Sequence, residues 1–325
     1  MQANDRRRIL ATLAAATLAG PWAAQAQSYP DHPIRFVVPY PPGGGTDVIA
    51  RIVQGKLQAA LGQNIVIDNK GGAGGSVGTD IVAKAAPDGY SVLFTLNSHT
   101  VNPAIYAKLP FDTLKDFEPV GTVASLPQIL VAHPQFPANN VAELIALAKA
   151  KPGTLAYASV GVGSPGHLAG ELFKLRTGTQ MTHVPYRGGG PAVTDVMGGQ
   201  VPLLWVSIPA AAQHVKSGKL KALGVSTLKR SAAFPDVPTL QEAGVPDFEV
   251  DSWYAMFVPA KTPKPVIDKL NRALNTTLQD PEIREKLLAQ GSEAVGGTPE
   301  ALGKTVDAEL VKWAKLAKDA SIKAE

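Results

Sequence analysis

Short β-branched and apolar runs recur along the chain, each followed by a glycine- or proline-rich turn and then by apolar residues at helical spacing. Residues 34–38 lead into Pro39-Tyr-Pro-Pro-Gly-Gly-Gly-Thr-Asp47, and a helix follows over 48–61. Residues 65–67 lead into Gly71-Gly-Ala-Gly-Gly-Ser-Val-Gly78, with a helix running to about Ala86. Residues 90–96 read as a buried strand that ends in the polar Asn97-Ser-His-Thr100. The pattern restarts after Pro127, with a strand over 128–132 and a helix over 141–150 stopped by Lys151-Pro-Gly153. A strand over 155–159 runs into Val160-Gly-Val-Gly-Ser-Pro-Gly166 and a helix over 167–176. His183-Val184 meets Pro185-Tyr-Arg-Gly-Gly-Gly190 before a helix that starts near Pro191, where proline fits a first turn. Residues 201–206 and 221–225 meet further polar turns, 253–258 form a strand, and 265–278, 281–290 and 299–317 are helical. Alternation of this kind implies βαβ units and parallel sheets.

The predicted fold is therefore α/β, with two lobes that are each a mostly parallel sheet flanked by helices. The C-terminal helices lack strands of their own, so they are expected to pack back on the first sheet. That requires two chain crossovers, near 126–129 and near 251–253, and a double crossover is a hinge. The expected division is a leader over 1–26, a first domain of 27–126 plus 252–325, and a second domain of 127–251. Ligands of open α/β sheets sit beyond the carboxyl ends of the strands, where these turns converge.

Composition narrows the chemistry. The 325 residues are 45% hydrophobic and only 18% charged, with 31 Gly, 27 Pro and no Cys. That is the profile of a globular chain, and the missing cysteine excludes iron–sulfur clusters, thiolate zinc sites, thiol nucleophiles and a lipidated N-terminus. Residues 1–26 read as an export signal: Arg6-Arg-Arg8 is a basic start, 9–19 an apolar stretch too short for a bilayer, and Ala24-Gln-Ala26 a cleavage site. Cleavage after Ala26 places the mature protein in the periplasm, and the partial twin-arginine pattern leaves the Sec and Tat routes both open. Without the leader the chain keeps 28 basic and 26 acidic residues, and no basic stripe with interleaved aromatics points to nucleic acid.

Three patterns invite enzymatic readings. Gly161-Val-Gly-Ser-Pro-Gly166 matches a dinucleotide fingerprint, but Met181-Thr-His-Val-Pro-Tyr186 lacks the acidic residue that would hold a ribose. Gly74-Gly-Ser76-Val-Gly78 matches a nucleophile elbow, which keeps a secreted serine hydrolase using Ser76 as the alternative. Gly303-Lys-Thr305 lacks the upstream spacing and strand of a phosphate loop. The six histidines show no metal-ligand spacing, so neither a metal nor a cofactor is expected. What remains is several glycine-rich turns, each opening a helix, where backbone N–H groups at the positive end of the dipole bind anions without a cationic side chain.

The chain resembles the solute-binding proteins of tripartite tricarboxylate transporters, the Bug or TctC-like periplasmic receptors. The resemblance runs along essentially the whole mature chain. It is carried by Pro42-Gly-Gly-Gly-Thr-Asp47, Asn69-Lys-Gly-Gly-Ala-Gly-Gly75, Ala86-Pro-Asp-Gly-Tyr90, Lys115-Asp-Phe-Glu-Pro-Val120, Gly163-Ser-Pro-Gly-His167, Val184-Pro-Tyr-Arg-Gly-Gly189 and Val237-Pro-Thr-Leu-Gln-Glu-Ala-Gly244. It implies a two-lobed periplasmic-binding-protein fold that closes on a small carboxylate and delivers it to membrane permease subunits. The protein is then no enzyme and acts as a monomer; a receptor for a sensor kinase is the other output of the same fold. The implied first-lobe contacts are Gly43, Gly44, Gly45, Thr46, Asp47, Gly74, Gly75, Thr95, Asn97, Ser98 and His99. Those of the second lobe are Ser159, Gly161, Gly163, Ser164, His167, Tyr186, Arg187 and Gly188. Asp47 reads equally as a helix cap, and His167 equally as a structural imidazole. The family often has acidic residues around the strand after Gly199-Gln-Val201, whereas this chain has Pro202-Leu-Leu-Trp-Val-Ser207. If that wall faces the cleft, a hydrophobic or aromatic acid joins the di- and tricarboxylates as a candidate ligand.

Overall fold

Three successive strand–helix units open the fold; β1 and β3 are largely buried between helices, whereas β2 at the end of the sheet is half-exposed. The computed structural model describes residues 29–186 and 188–323, so the expected leader over 1–26 and Arg187 lie outside the described residues. The units are β1 (Ile34–Val38) with α1 (Gly45–Leu61), β2 (Ile65–Asn69) with α2 (Ser76–Ala83), and β3 (Ser91–Leu96) with α3 (Ser98–Ile105). Helix α1 shows why the sequence folds this way: Ile49, Val53, Leu57 and Leu61 recur every four residues and are buried. It stops at Gly62, which takes the left-handed conformation at φ 72° and returns its N–H to the Gln58 carbonyl.

Strand β4 (Phe117–Ala132) then leads to α4 (Val141–Ala150), β5 (Leu155–Ser159), α5 (Pro165–Thr177), β6 (Met181–Pro185) and α6 (Gly189–Met197). After these come β7 (Leu203–Ser207), α7 (Ile208–Lys216), β8 (Lys221–Val225), β9 (Asp251–Pro259), α8 (Lys264–Gln279), α9 (Pro281–Ala289), β10 (Glu293–Gly296) and α10 (Pro299–Asp319). The strand order is β2-β1-β3-β9-β4-β7-β5-β6, with β8 and β10 attached to β4. Parallel pairing holds β2-β1-β3 at one end and β6-β5-β7 at the other. The strands between them, β4 and β9, add antiparallel pairs, so the sheet is mixed.

Strand β4 is longer than its sequence suggests. Only 128–132 reads as strand, yet pairing to β9 begins at Phe117 and runs to Pro127, where it faces Asp251. Pro119 and Pro127 obscure this stretch, because proline withholds a ladder donor. The ladder accommodates them with register shifts between Pro119 and Gly121 and between Thr122 and Ala124. From Gln128 onward β4 pairs instead with β7 and β8. One strand is thus shared by both lobes, and β9 starts beside the changeover. Ser226 fastens this point: its N–H donates to the Gln128 carbonyl (2.9 Å) and its hydroxyl donates to the Val250 carbonyl (2.6 Å). The same hydroxyl accepts from the Gln128 N–H (3.0 Å).

The cores follow the lobes except at α3 and α10; Val101 and Ile105 of α3 join the second-lobe cluster. Phe36, Val38, Phe94 and Met256 pack with Val53 and Leu57 of α1 and Leu270 and Leu274 of α8. Ile129, Val131, Leu204 and Val206 pack with Val193 and Val196 of α6 and Ile208 of α7. Helix α10 divides: Leu302 and Val306 join Val37, Leu93 and Phe257, whereas Trp313, Leu316 and Ala317 join Leu168, Phe173, Trp205 and Phe248. The C-terminal helix therefore spans from one lobe's core to the other's. Trp205 stacks on Phe248 at 5.7 Å and is fully buried, as is Val206. These side chains fill the second core and do not wall a cleft, so the aromatic-acid expectation loses the residues it rested on. Strand β10 was not anticipated; four residues of half-exposed pattern carry too little periodicity to signal a strand.

Candidate ligand-binding site

The turn from β1 into α1 is built from three prolines and three glycines. Gly43 is left-handed at φ 77°, and its N–H donates to the Asp47 carboxylate (2.8 Å), which also accepts from Arg51 Nε (2.9 Å). Burial pushes the Asp47 carboxyl up, but the Arg51 guanidinium and the Gly43 N–H outweigh it and hold the group below its ordinary range. Asp47 is thus a staple inside the turn, three residues past the cap position of α1. That position is Gly44, which has no side chain to accept, so the first-turn N–H groups of Gly45, Thr46 and Asp47 have no intrahelical acceptor.

Helices α2 and α3 start in a similar way, although the Ser76 N–H at the head of α2 already donates to the Ala73 carbonyl. Gly75 (φ 94°) and Asn97 precede them without a side-chain cap, whereas α4, α9 and α10 are capped by Asn140, Asp280 and Thr298. Because β1, β2 and β3 are neighbours and parallel, the three open helix starts lie side by side at their carboxyl ends. Three phenols stand against this rim. A Cβ on Gly45, Gly74 or Gly75 would lie 2.8 Å from the hydroxyl of Tyr254, Tyr106 or Tyr40 respectively, so only glycine admits these close approaches. The Tyr40 hydroxyl is hydrogen-bonded to that of Ser98. Burial raises the pKa of Tyr40 and Tyr254, which keeps both phenols neutral and able to donate.

Thr95 and Asn97 are fully buried next to this rim, and the Asn97 carboxamide finds no partner for either of its polar atoms among the described residues. His99 is different. Its ring lies 4.6 Å from Phe257 and 4.9 Å from Phe117, neither ring nitrogen has a partner among the described residues, and burial drives its pKa down to about 3. One residue further along a helix turns the side chain by about 100°, so Ser98 meets Tyr40 while His99 enters an aromatic core. Ser76 donates its hydroxyl to the Ala73 carbonyl (2.5 Å), which ties the expected elbow serine to its own turn.

In the second lobe the loop between β5 and α5 is held by side chains. The Ser164 hydroxyl accepts from the His167 N–H (3.3 Å), capping α5, and donates to the Gly161 carbonyl (2.6 Å). The Gly163 N–H donates to His167 Nδ1 (3.1 Å), and Ser159 Oγ lies 2.7 Å from His183 Nε2. The two imidazoles stack at 3.9 Å, 8° from coplanar. Beneath them the buried Glu171 carboxylate accepts from the Tyr157 hydroxyl (2.6 Å) and from Lys174 (2.7 Å). Burial, with Lys174 adding to it, lowers the His167 pKa to about 4; burial, with His167 adding to it, lowers His183 to about 3. Tyr186 donates its hydroxyl to Asp195 (2.7 Å), and Gly188 precedes α6 without a side-chain cap. Arg187 lies outside the described residues. The lobes meet where a Cβ on Gly163 would come 2.4 Å from Cδ1 of Ile105, at the end of α3.

The structure therefore gathers Gly43 to Asp47, Gly74, Gly75, Thr95, Asn97 and Ser98 on one rim, and Ser159, Gly161, Gly163, Ser164 and His167 on one second-lobe loop. It sets His99 apart. The residues that sequence reasoning missed are Tyr106, Tyr254 and His183; they lie far from the glycines in the chain, and only the close approach identifies them.

Two α/β lobes joined through shared strands, with open helix starts at the carboxyl ends of one sheet, define a two-lobed solute-binding protein of the periplasmic type. The chain belongs to the tripartite tricarboxylate transporter receptor family: the description "Tripartite tricarboxylate transporter family receptor" matches residues 49–322. It is 40% identical to protein BugT of Bordetella pertussis over 313 residues, covering 96% of this chain and 95% of BugT. Among solved structures it is similar to the periplasmic binding protein BugD, at 38% identity and a TM-score of 0.78 over 91% of this chain and 100% of that one. It is also similar to an R. palustris protein solved with adipate, at 36% identity and a TM-score of 0.81 over 91% and 99%.

Proposed function

We propose that this chain is an exported receptor that captures a small carboxylate between its lobes and delivers it to the permease subunits of a tripartite tricarboxylate transporter. The observation that carries this reading is the set of open helix starts α1, α2 and α3 at one sheet edge, lined by neutral hydroxyls. A carboxylate there receives backbone N–H groups and dipole ends at little desolvation cost to the protein, because no buried cation has to be kept. The first lobe supplies the anion contacts, through Gly43 to Asp47, Gly74, Gly75, Thr95, Asn97 and Ser98. The second closes over it with Ser159, Gly161, Gly163, Ser164, Tyr186, Arg187 and Gly188. Closure is a population shift, so the ligand must gain contacts from both lobes. The similar protein solved with adipate supports a linear dicarboxylate as the first ligand to test.

The test is calorimetry and thermal shift on the chain from Gln27 onward with adipate, malate, citrate and benzoate. At least one aliphatic carboxylate is expected to bind saturably and raise the melting temperature. Thr46→Ala and Ser98→Ala should each weaken it about 10-fold, the loss of one charge-assisted hydrogen bond, with the unliganded melting temperature unchanged. Binding at wild-type strength in both variants, or no binding of any carboxylate, would overturn the reading.

A further inference from the structure

The second-lobe loop offers the ligand a surface whose own polar groups are already taken. His167 Nδ1 accepts from Gly163, so its single proton sits on Nε2, the edge 3.9 Å from the Glu171 carboxylate. Ser159 Oγ accepts from the Gly161 N–H (3.2 Å) and bonds to His183 Nε2 (2.7 Å). Each imidazole thereby fixes one loop amide, His167 directly and His183 through a serine hydroxyl. The rings are stacked face to face, so neither can rotate without displacing the other. The fixed segment is also the one that meets Ile105 of the first lobe.

We propose that His183 is a positioning residue for ligand capture, acting with His167 to hold the loop from Ser159 to Ser164 in the shape that closes on the first-lobe rim. It touches no ligand in this assignment; it works through Ser159 and through the stacked ring. The inference rests on the carboxylate-receptor reading for its effect on affinity, but not for its effect on the loop. Four groups face the pair from the packed elements: Tyr157 on β5, Glu171 and Lys174 on α5, and Ser159 at the end of β5. The Glu171 carboxylate is paired with Lys174 (2.7 Å), and His167 Nδ1 accepts from the Gly163 N–H.

The two rings predict separate signatures. His183→Phe keeps the stack but removes the ring nitrogen that holds the Ser159 hydroxyl, leaving it only the Gly161 carbonyl (3.1 Å), whereas His167→Phe keeps the stack but removes the acceptor for Gly163. Residue-resolved amide exchange by NMR on the unliganded mature chain should show Gly161 exchanging about 10-fold faster in the first variant and Gly163 about 10-fold faster in the second, each leaving the other amide near its wild-type rate. His167→Asn, which returns an acceptor near Nδ1, should restore the Gly163 rate. Adipate, or whichever carboxylate the wild type binds, should bind about 10-fold more weakly to both Phe variants at similar melting temperature. Should a Phe variant fail to fold, Ser159→Ala cuts the same link at Gly161 and should reproduce that amide's signature. Wild-type exchange at Gly161 in His183→Phe and in Ser159→Ala would overturn the proposal, as would faster exchange with unchanged affinity. The expected amide pattern in a chain that binds no carboxylate would support the loop positioning and count against the receptor reading alone.

Discussion

Both lobes present glycine-rich turns at the carboxyl ends of parallel strands, yet the first-lobe turns and the β5–α5 turn of the second lobe treat their backbone donors in opposite ways. In the first lobe α1, α2 and α3 begin at Gly44, Gly75 and Asn97 with no side-chain cap, and the nearby Asn97 carboxamide is buried without a partner. In the second lobe Ser164 caps α5 and His167 takes the Gly163 N–H, above a Tyr157–Glu171–Lys174 network, whereas α6 at Gly188 and α7 at Ser207 start without a side-chain cap. Turn composition alone does not make an anion site. What matters is whether neighbouring side chains have already consumed the donors. The first-lobe turns are left unsatisfied for a ligand, and the β5–α5 loop of the second lobe is satisfied internally and serves as a shaped wall.

The contrast is most exposed to a change in the satisfied lobe. A Cβ on Gly170 would come 2.2 Å from the ring of Tyr157, which cannot retreat while its hydroxyl is held by Glu171. Gly170→Ala should cost about 3 kcal/mol in urea unfolding, the upper range for overpacking. A loss well under 1 kcal/mol would mean that the network yields and the wall is not rigid.

Acid titration gives the next largest effect. His167 and His183 have native pKa values near 4 and 3, below the ordinary 6.5, so the folded state disfavours their protonation. Their contribution is fully present above pH 6.5 and is lost as pH falls through 6.5 toward 4 and then 3. The paired variant His167→Phe, His183→Phe should flatten that part of the stability profile, measured by denaturant melts from pH 7 to pH 4. An unchanged slope would place the acid sensitivity elsewhere.

The smallest effect is predicted in the unsatisfied lobe, with a sign that separates binding from folding. Asn97→Leu removes a buried carboxamide that no protein group satisfies, so the unliganded protein should gain about 1 kcal/mol. Affinity for the bound carboxylate should fall at the same time. A loss of stability in thermal melts would show that Asn97 is satisfied without ligand, and the contrast between the lobes would shrink.

Much of this molecule was legible from local pattern. Strand–turn–helix units over 34–61 and 155–176 follow from apolar periodicity and glycine punctuation, which are properties of neighbouring residues. The helix over 141–150 ends at Lys151, as its Lys-Pro-Gly stop signal predicts. The longer β4 escaped because its prolines argue locally against a strand, and only the partner strand β9 shows how the ladder absorbs them. His99 and Ser98 look equivalent in sequence, yet one enters a ring of phenylalanines and the other meets a phenol.

By itself the sequence determined the α/β grammar, the number and place of the glycine turns, and a chemistry of backbone and hydroxyls in a chain without cysteine and with few charges. Tertiary structure decided which turns keep free donors, which histidines become neutral acceptors, and that Trp205 fills a core and α10 reaches from one lobe to the other. The reason is range: periodicity and turn propensity act over a few residues, whereas a donor is satisfied or left open by side chains tens to hundreds of residues away, as Tyr254 stands against Gly45.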